Sequence, residues 1–147
     1  MVLGGYGYEA EYSGEIVDFS PDSDPATSNC PEIPRLPIGI SGGVGGFVSG
    51  RPVICGGSHN SRCFALEDGA WEQSDDLGRI VYLGNSVVMD GDTWWIMGAS
   101  SFSTLSDGGS HNAGPPMPHS GSQGCAVQIN STTVFFAGGY FRVTKRY

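Results

Sequence analysis

Cysteine, histidine and aspartate are the side chains here that could crosslink, ligate or transfer protons, so their spacing is weighed first. Four cysteines stand at Cys30, Cys55, Cys63 and Cys125. Cys55 and Cys63 are too far apart for the C-x-x-C of a zinc or thioredoxin-type site. A chain reversal through Gly56 to Arg62 would set their Cβ atoms within bridging range, which predicts a disulfide in preference to two buried free thiols. Such a short-loop crosslink contributes about 2–3 kcal/mol. Cys30 and Cys125 lack a close partner in sequence, and could pair with each other or with cysteines outside the chain.

The remaining candidates point away from catalysis. His59, His111 and His119 share no ligand spacing, so no metal centre is expected. Asp22, Asp24, Asp75-Asp76, Asp90 and Asp92 miss the spaced carboxylate pattern of a calcium loop; Asp90-Gly91-Asp92 reads as a turn and Asp75-Asp76 as a solvated corner. Gly42 to Gly46 resembles a phosphate loop only in its glycines, since neither Lys-Ser/Thr nor a helical pattern follows. No catalytic residue and no cofactor emerge. Asn130-Ser131-Thr132 fits the N-glycosylation sequon and falls in a predicted turn, where a glycan would point into solvent.

The elements that position these residues are strands. The 24 glycines and nine prolines among 147 residues penalise helices, while aromatic and β-branched residues recur throughout, which predicts short strands joined by tight turns. A net charge of -8 with seven Lys and Arg leaves no basic stripe to neutralise phosphates, so neither nucleic acid nor an anionic membrane surface is an expected partner. No apolar run reaches the ~20 residues that cross a bilayer, and no membrane insertion is expected. Met1 to Tyr8 lacks the features of a secretory signal, so a signal for a secreted protein would lie outside this sequence.

A repeat organises the strands. Val2-Leu3-Gly4-Gly5, Val53-Ile54-Cys55-Gly56-Gly57, Trp95-Ile96-Met97-Gly98-Ala99 and Phe135-Phe136-Ala137-Gly138-Gly139 each end an apolar run in small residues. Gly4, Gly56, Gly98 and Gly138 follow one another at 52, 42 and 40 positions, within the range of propeller repeats. A hairpin precedes the last three markers, most clearly at Asp90-Gly91. Third strands are expected over Ile16–Phe19, Cys63–Leu66 and Ser103–Leu105, and an outer strand around Trp71. In the third unit Gly114-Pro115-Pro116-Met117-Pro118 stands where the outer strand is expected.

On Val53 to Gly57, Trp71, Arg79 and Asp90 to Gly98, the chain resembles the Kelch family over nearly its whole length. That resemblance implies an all-β fold of Kelch-type β-propeller blades, four-stranded antiparallel sheets forming a partial propeller of about three blades. The units are a partial one over 1–35, blades over 36–77 and 78–118, and a partial one over 119–147. Propellers close with four to eight blades, and both ends of this sequence fall inside units. The expectation is an internal piece of a longer chain, or copies that complete one another's blades. A secreted, invertebrate-type Kelch-like group is similar at Cys55, Cys63 and Cys125.

The resemblance implies a binding role. Loops leaving the marker strands gather on one face of a Kelch propeller, and here they carry Tyr6, Tyr8, Tyr12, His59, Asn60, Arg62, Phe102 and His111, groups suited to protein or glycan contacts. The expected protein is secreted and non-catalytic, an adhesion, matrix or fibre component whose partners are proteins or glycans and further blades. The rivals are a propeller oxidase or glycosidase with its catalytic groups in other blades, and an intracellular Kelch substrate adaptor.

Overall fold

The computed structural model describes residues 2–3, 14–15, 33–98, 101–106, 110–114 and 122–139. Among them regular structure is entirely β: β1 (Val2–Leu3), β2 (Gly14–Glu15), β3 (Gly43–Val48), β4 (Arg51–Gly56), β5 (Arg62–Glu67), β6 (Ala70–Asp76), β7 (Asn85–Met89), β8 (Thr93–Gly98), β9 (Ser101–Ser106), β10 (Ser110–Ala113), β11 (Gly124–Asn130) and β12 (Thr133–Gly138). The strands form two four-stranded meanders, β3-β4-β5-β6 and β7-β8-β9-β10, and two pairs, β1-β2 and β11-β12, all antiparallel. The fold is all-β and compatible with successive blades of a partial propeller.

Turn chemistry fixes the meanders. Ser49-Gly50 and Asp68-Gly69 join their strands with both residues at positive φ, 49° and 80° in the first, 46° and 80° in the second. That is the two-residue hairpin turn whose twist matches the flanking strands, and it favours glycine at its second position. Asp90 and Gly91 adopt the same angles, 52° and 85°, with Asp92 added before β8.

Two expectations change in the third unit. Phe102 lies in β9, in register with Met97, and His111 lies in β10, in register with Leu105, so both belong to strands and not to a loop leaving the marker strand. The outer strand ends at Ala113, immediately before the Gly114–Pro118 stretch, and therefore precedes it. Its Ser-His-Asn-Ala sequence carries little apolar signal. The strand expected over Ile16–Phe19 lies outside the described residues, as do Tyr6, Tyr8, Tyr12, Cys30 and His119.

The repeat is visible in backbone geometry. Gly42, Leu83 and Gln123 each stand one residue ahead of an equivalent glycine, and all three have positive φ, 67°, 51° and 60°. The Leu83 amide donates to the Gly42 carbonyl at 2.7 Å, and the Gln123 amide donates to the Leu83 carbonyl at 2.8 Å. Strands β3, β7 and β11, the first of each unit, are neighbours in space. The units are thus stitched in sequence along their first strands.

Between the two four-stranded sheets lies the main core. Val44, Val48, Val53, Cys55, Cys63 and Ala65 from the first sheet meet Trp94, Ile96 and Leu105 from the second, with Leu77 and Val81 of the connecting segment closing one end. Gly46 makes room for this: a Cβ there would stand 3.0 Å from Trp94 Nε1. Leu36, Ile40, Ile54, Phe64 and Trp71 form a second cluster on the other face of the first sheet. Trp71 Nε1 donates to the Pro34 carbonyl at 2.8 Å, pinning that segment to the outer strand. Its role is packing, as large rings fill the space between sheets.

Candidate binding surface

The best-defined loop is residues 57–61, which joins β4 to β5. At its base Cys55 and Cys63 face each other in register on adjacent strands with Cα atoms 4.1 Å apart, and a disulfide joins them. Both are fully buried. The close approach is that of a directly opposed antiparallel pair.

Beyond the disulfide, backbone contacts hold the loop on two sides. The Gly57 amide donates to the Val81 carbonyl at 2.8 Å and the Ser58 amide to the Ser41 carbonyl at 2.8 Å. Gly56 has φ +72°, and a Cβ on it would lie 2.6 Å from the Val81 carbonyl oxygen. This close approach of backbone to backbone explains the glycine at the marker position.

Within the loop Asn60 is a brace. Its Nδ2 donates to the Gly56 carbonyl at 3.0 Å and its Oδ1 accepts the Arg62 amide at 3.0 Å. Its side chain is therefore spent on the loop itself. His59, with φ 68°, and Arg62 remain exposed. A crosslinked, hydrogen-bonded loop loses little entropy on binding, so two exposed polar side chains are presented at low cost.

Sequence reasoning missed two neighbours. The segment after β6 alternates, with Leu77 and Val81 buried but Ile80 and Tyr82 exposed. Tyr82 lies over Gly42, where a Cβ would stand 2.6 Å from its Cε2, so the ring belongs to the same end of the sheets as the His59 loop. The alternation in Arg79-Ile80-Val81-Tyr82 is the signal that could have found them. Together His59, Arg62, Ile80 and Tyr82 give that end aromatic, apolar and cationic contact groups.

Behind this surface Arg79 reaches across to β9, where its guanidinium donates to Ser103 Oγ, a group buried in the core. Burial pulls the Arg79 pKa below its usual value. Arg79 Nε, Asp75 Oδ2 and Trp94 Nε1 are buried without a hydrogen-bond partner among the described residues. No group of three or more His, Cys, Asp or Glu side chains among those residues could hold a metal ion.

Elsewhere, Asn130 is exposed at the β11–β12 turn and its Oδ1 accepts both the Thr132 amide and Thr132 Oγ1, at 3.0 and 3.1 Å. Cys125 is an exposed free thiol on β11. The side chains of Phe102 and His111 lie outside the described set. Comparison with known protein families and with curated proteins finds no match.

Proposed function

We propose that this chain is a secreted, Kelch-type β-propeller protein that acts without catalysis, by presenting a binding surface to proteins or glycans. The observation that carries the reading is the disulfide-anchored β4–β5 connection, which leaves His59 in the loop and Arg62 at the start of β5 in solvent, with Ile80 and Tyr82 exposed on the segment that accepts the Gly57 amide. A buried disulfide favours an oxidising compartment, and the exposed Asn130-Ser131-Thr132 turn is placed to accept a glycan there. An adhesive, matrix or fibre role follows by analogy with the fold.

Two measurements test it. Intact mass of the native protein, before and after reduction and deglycosylation, is expected to reveal the disulfide and a glycan on Asn130; free thiols and an unmodified Asn130 would overturn secretion. Immobilised protein is then screened against extracellular glycans and matrix proteins, and Arg62→Ala and Tyr82→Ala are each expected to weaken the strongest interaction about tenfold without lowering thermal stability. No binder, or binding indifferent to both substitutions, would overturn the assigned surface.

A further inference from the structure

An aspartate followed by glycine can rearrange its own backbone. The glycine amide nitrogen reaches the preceding side-chain carbonyl carbon and closes a five-membered ring, and with no Cβ on the glycine the nitrogen is unshielded. The chain has three such pairs, Asp68-Gly69, Asp90-Gly91 and Asp107-Gly108. The third lies outside the described residues.

The first two share a backbone conformation, with φ of 46° and 80° in one and 52° and 85° in the other. A Cβ built on either glycine would meet nothing within 4 Å. They differ in how they are held. Asp90 Oδ1 accepts from Gln128 Nε2 at 3.4 Å. The Gly91 carbonyl accepts the Ser49 amide at 2.7 Å, and the Asp92 amide returns to the Met89 carbonyl at 3.3 Å. That turn is thus tied to a neighbouring hairpin on either side. Asp68 and Gly69 are exposed at the β5–β6 turn, and among the described residues no hydrogen bond holds the Asp68 carboxylate or the Gly69 amide.

We propose that Asp68 is a site of spontaneous isoaspartate formation, and that the reaction loosens the outer strand β6 from its tip. The Gly69 amide nitrogen bonds to the Asp68 side-chain carbonyl carbon. One carboxylate oxygen departs as water, taking the amide proton and one proton from solvent, and a succinimide remains. Water then adds to either ring carbonyl, the C–N bond at that carbon breaks, and a proton returns to solvent. Opening at the main-chain carbonyl sends the backbone through the former side chain and leaves the α-carboxylate as a short branch. The step needs no oxidant, reductant or enzyme, and it leaves the net charge unchanged. It is independent of the binding role proposed above.

The product no longer fits its turn. Its main chain is longer by one methylene, whereas a two-residue hairpin turn fixes the register of the strands it joins and has no room for an extra backbone atom. On those strands Glu67 faces Ala70 and Leu66 faces Trp71. Trp71 Nε1 in turn donates to the Pro34 carbonyl at 2.8 Å. Slippage that starts at the turn therefore reaches the segment ahead of β3.

The test ages the full 147-residue chain for several weeks in warm neutral buffer, with Asp107→Glu to keep the third pair out of the count. Isoaspartate is measured as methyl groups accepted from labelled S-adenosylmethionine through isoaspartyl methyltransferase, and each site is read separately by electron-transfer fragmentation of its peptide. Residue 68 is expected to accumulate about fivefold more than residue 90, the rate factor of one modest hydrogen bond. In urea, where neither turn is held, the two are expected to react equally. Gln128→Ala should raise the folded-state rate at Asp90. Asp68→Glu should abolish the signal at 68, because glutamate would have to close a six-membered ring. Amide exchange of the aged chain is expected to lose protection over 70–72 and keep it over 43–56. No isoaspartate at 68, or equal amounts at 68 and 90 in the folded chain, would overturn the proposed site. Isoaspartate at 68 with unchanged protection over 70–72 would overturn the loosening of β6.

Discussion

Cys55 on β4 and Cys63 on β5 are fully buried and joined across a single pair of strands, directly beneath the loop that carries His59. The crosslink closes a short loop, so in chain-entropy terms it removes about 2–3 kcal/mol of freedom from the unfolded state. The Cys55→Ala/Cys63→Ala double variant is expected to lose that amount in equilibrium urea unfolding. Adding a reductant should lower the wild-type midpoint and leave the double variant unmoved. Equal midpoints for the two oxidised proteins would show that the disulfide does not stabilise the sheet.

Gly56 and Gly50 separate two costs of replacing a glycine. Both have positive φ, +72° and +80°, but only Gly56 has a neighbour in the way, the Val81 carbonyl oxygen 2.6 Å from a built Cβ; Gly50 has nothing within 4 Å. Gly50→Ala is expected to cost about 1 kcal/mol from conformation alone. Gly56→Ala adds displacement of Val81 and strain on the Gly57 amide bond to it, for a total of about 3 kcal/mol. Denaturant unfolding of the two variants in parallel measures the difference. Equal losses would mean that the Val81 strand yields freely.

What the sequence made legible follows from where side chains carry a signal. Cys55-Gly56-Gly57 combined an apolar strand end with glycines, and Asp90-Gly91 marked a turn by residue type, so both read directly. Strand β9 was legible only at its centre, Ser103–Leu105, because Ser-Phe-Ser-Thr-Leu-Ser offers few apolar residues, and β10, Ser-His-Asn-Ala, looked like loop because it is mostly polar. The stitching positions were hidden for another reason. A left-handed residue is normally flagged by glycine, and only Gly42 carries that flag, whereas Leu83 and Gln123 hold the same conformation without it. Ile80 and Tyr82 were overlooked because apolar residues in a connecting segment read as core, and only Leu77 and Val81 are.

Arg79 and Ser103 form a cross-sheet pair whose value lies in what remains when one partner is removed. Ser103 is fully buried and receives the guanidinium, while Arg79 Nε has no partner. Truncation to Ala on the arginine side leaves a buried hydroxyl unpaired, so Arg79→Ala is expected to cost about 2 kcal/mol. Replacing both groups by apolar ones, Arg79→Met with Ser103→Ala, is expected to cost under about 1 kcal/mol, because the desolvated charge and the orphan Nε go together. A double variant as unstable as Arg79→Ala would show that the loss does not come from leaving the Ser103 hydroxyl unpaired.

Gln123 offers the opposite sign of effect. Its side chain is exposed, so little packing is lost on removing it, and its φ of 60° is a conformation that costs a side-chain-bearing residue about 1–2 kcal/mol. Glycine relieves that strain but adds about 0.5–1 kcal/mol of unfolded-state entropy. The balance predicts that Gln123→Gly is stabilising by about 0.5 kcal/mol. Gln123→Val, β-branched at a left-handed position, is expected to be destabilising by at least about 1 kcal/mol. Gln123→Pro both forbids the angle and removes the amide that donates to the Leu83 carbonyl at 2.8 Å. It is therefore expected to detach β11–β12 from the second sheet, read as loss of amide-exchange protection in 124–138 with protection in 43–76 retained. If protection falls equally in both segments, the stitching is not a local contact, and the sheets unfold as one unit.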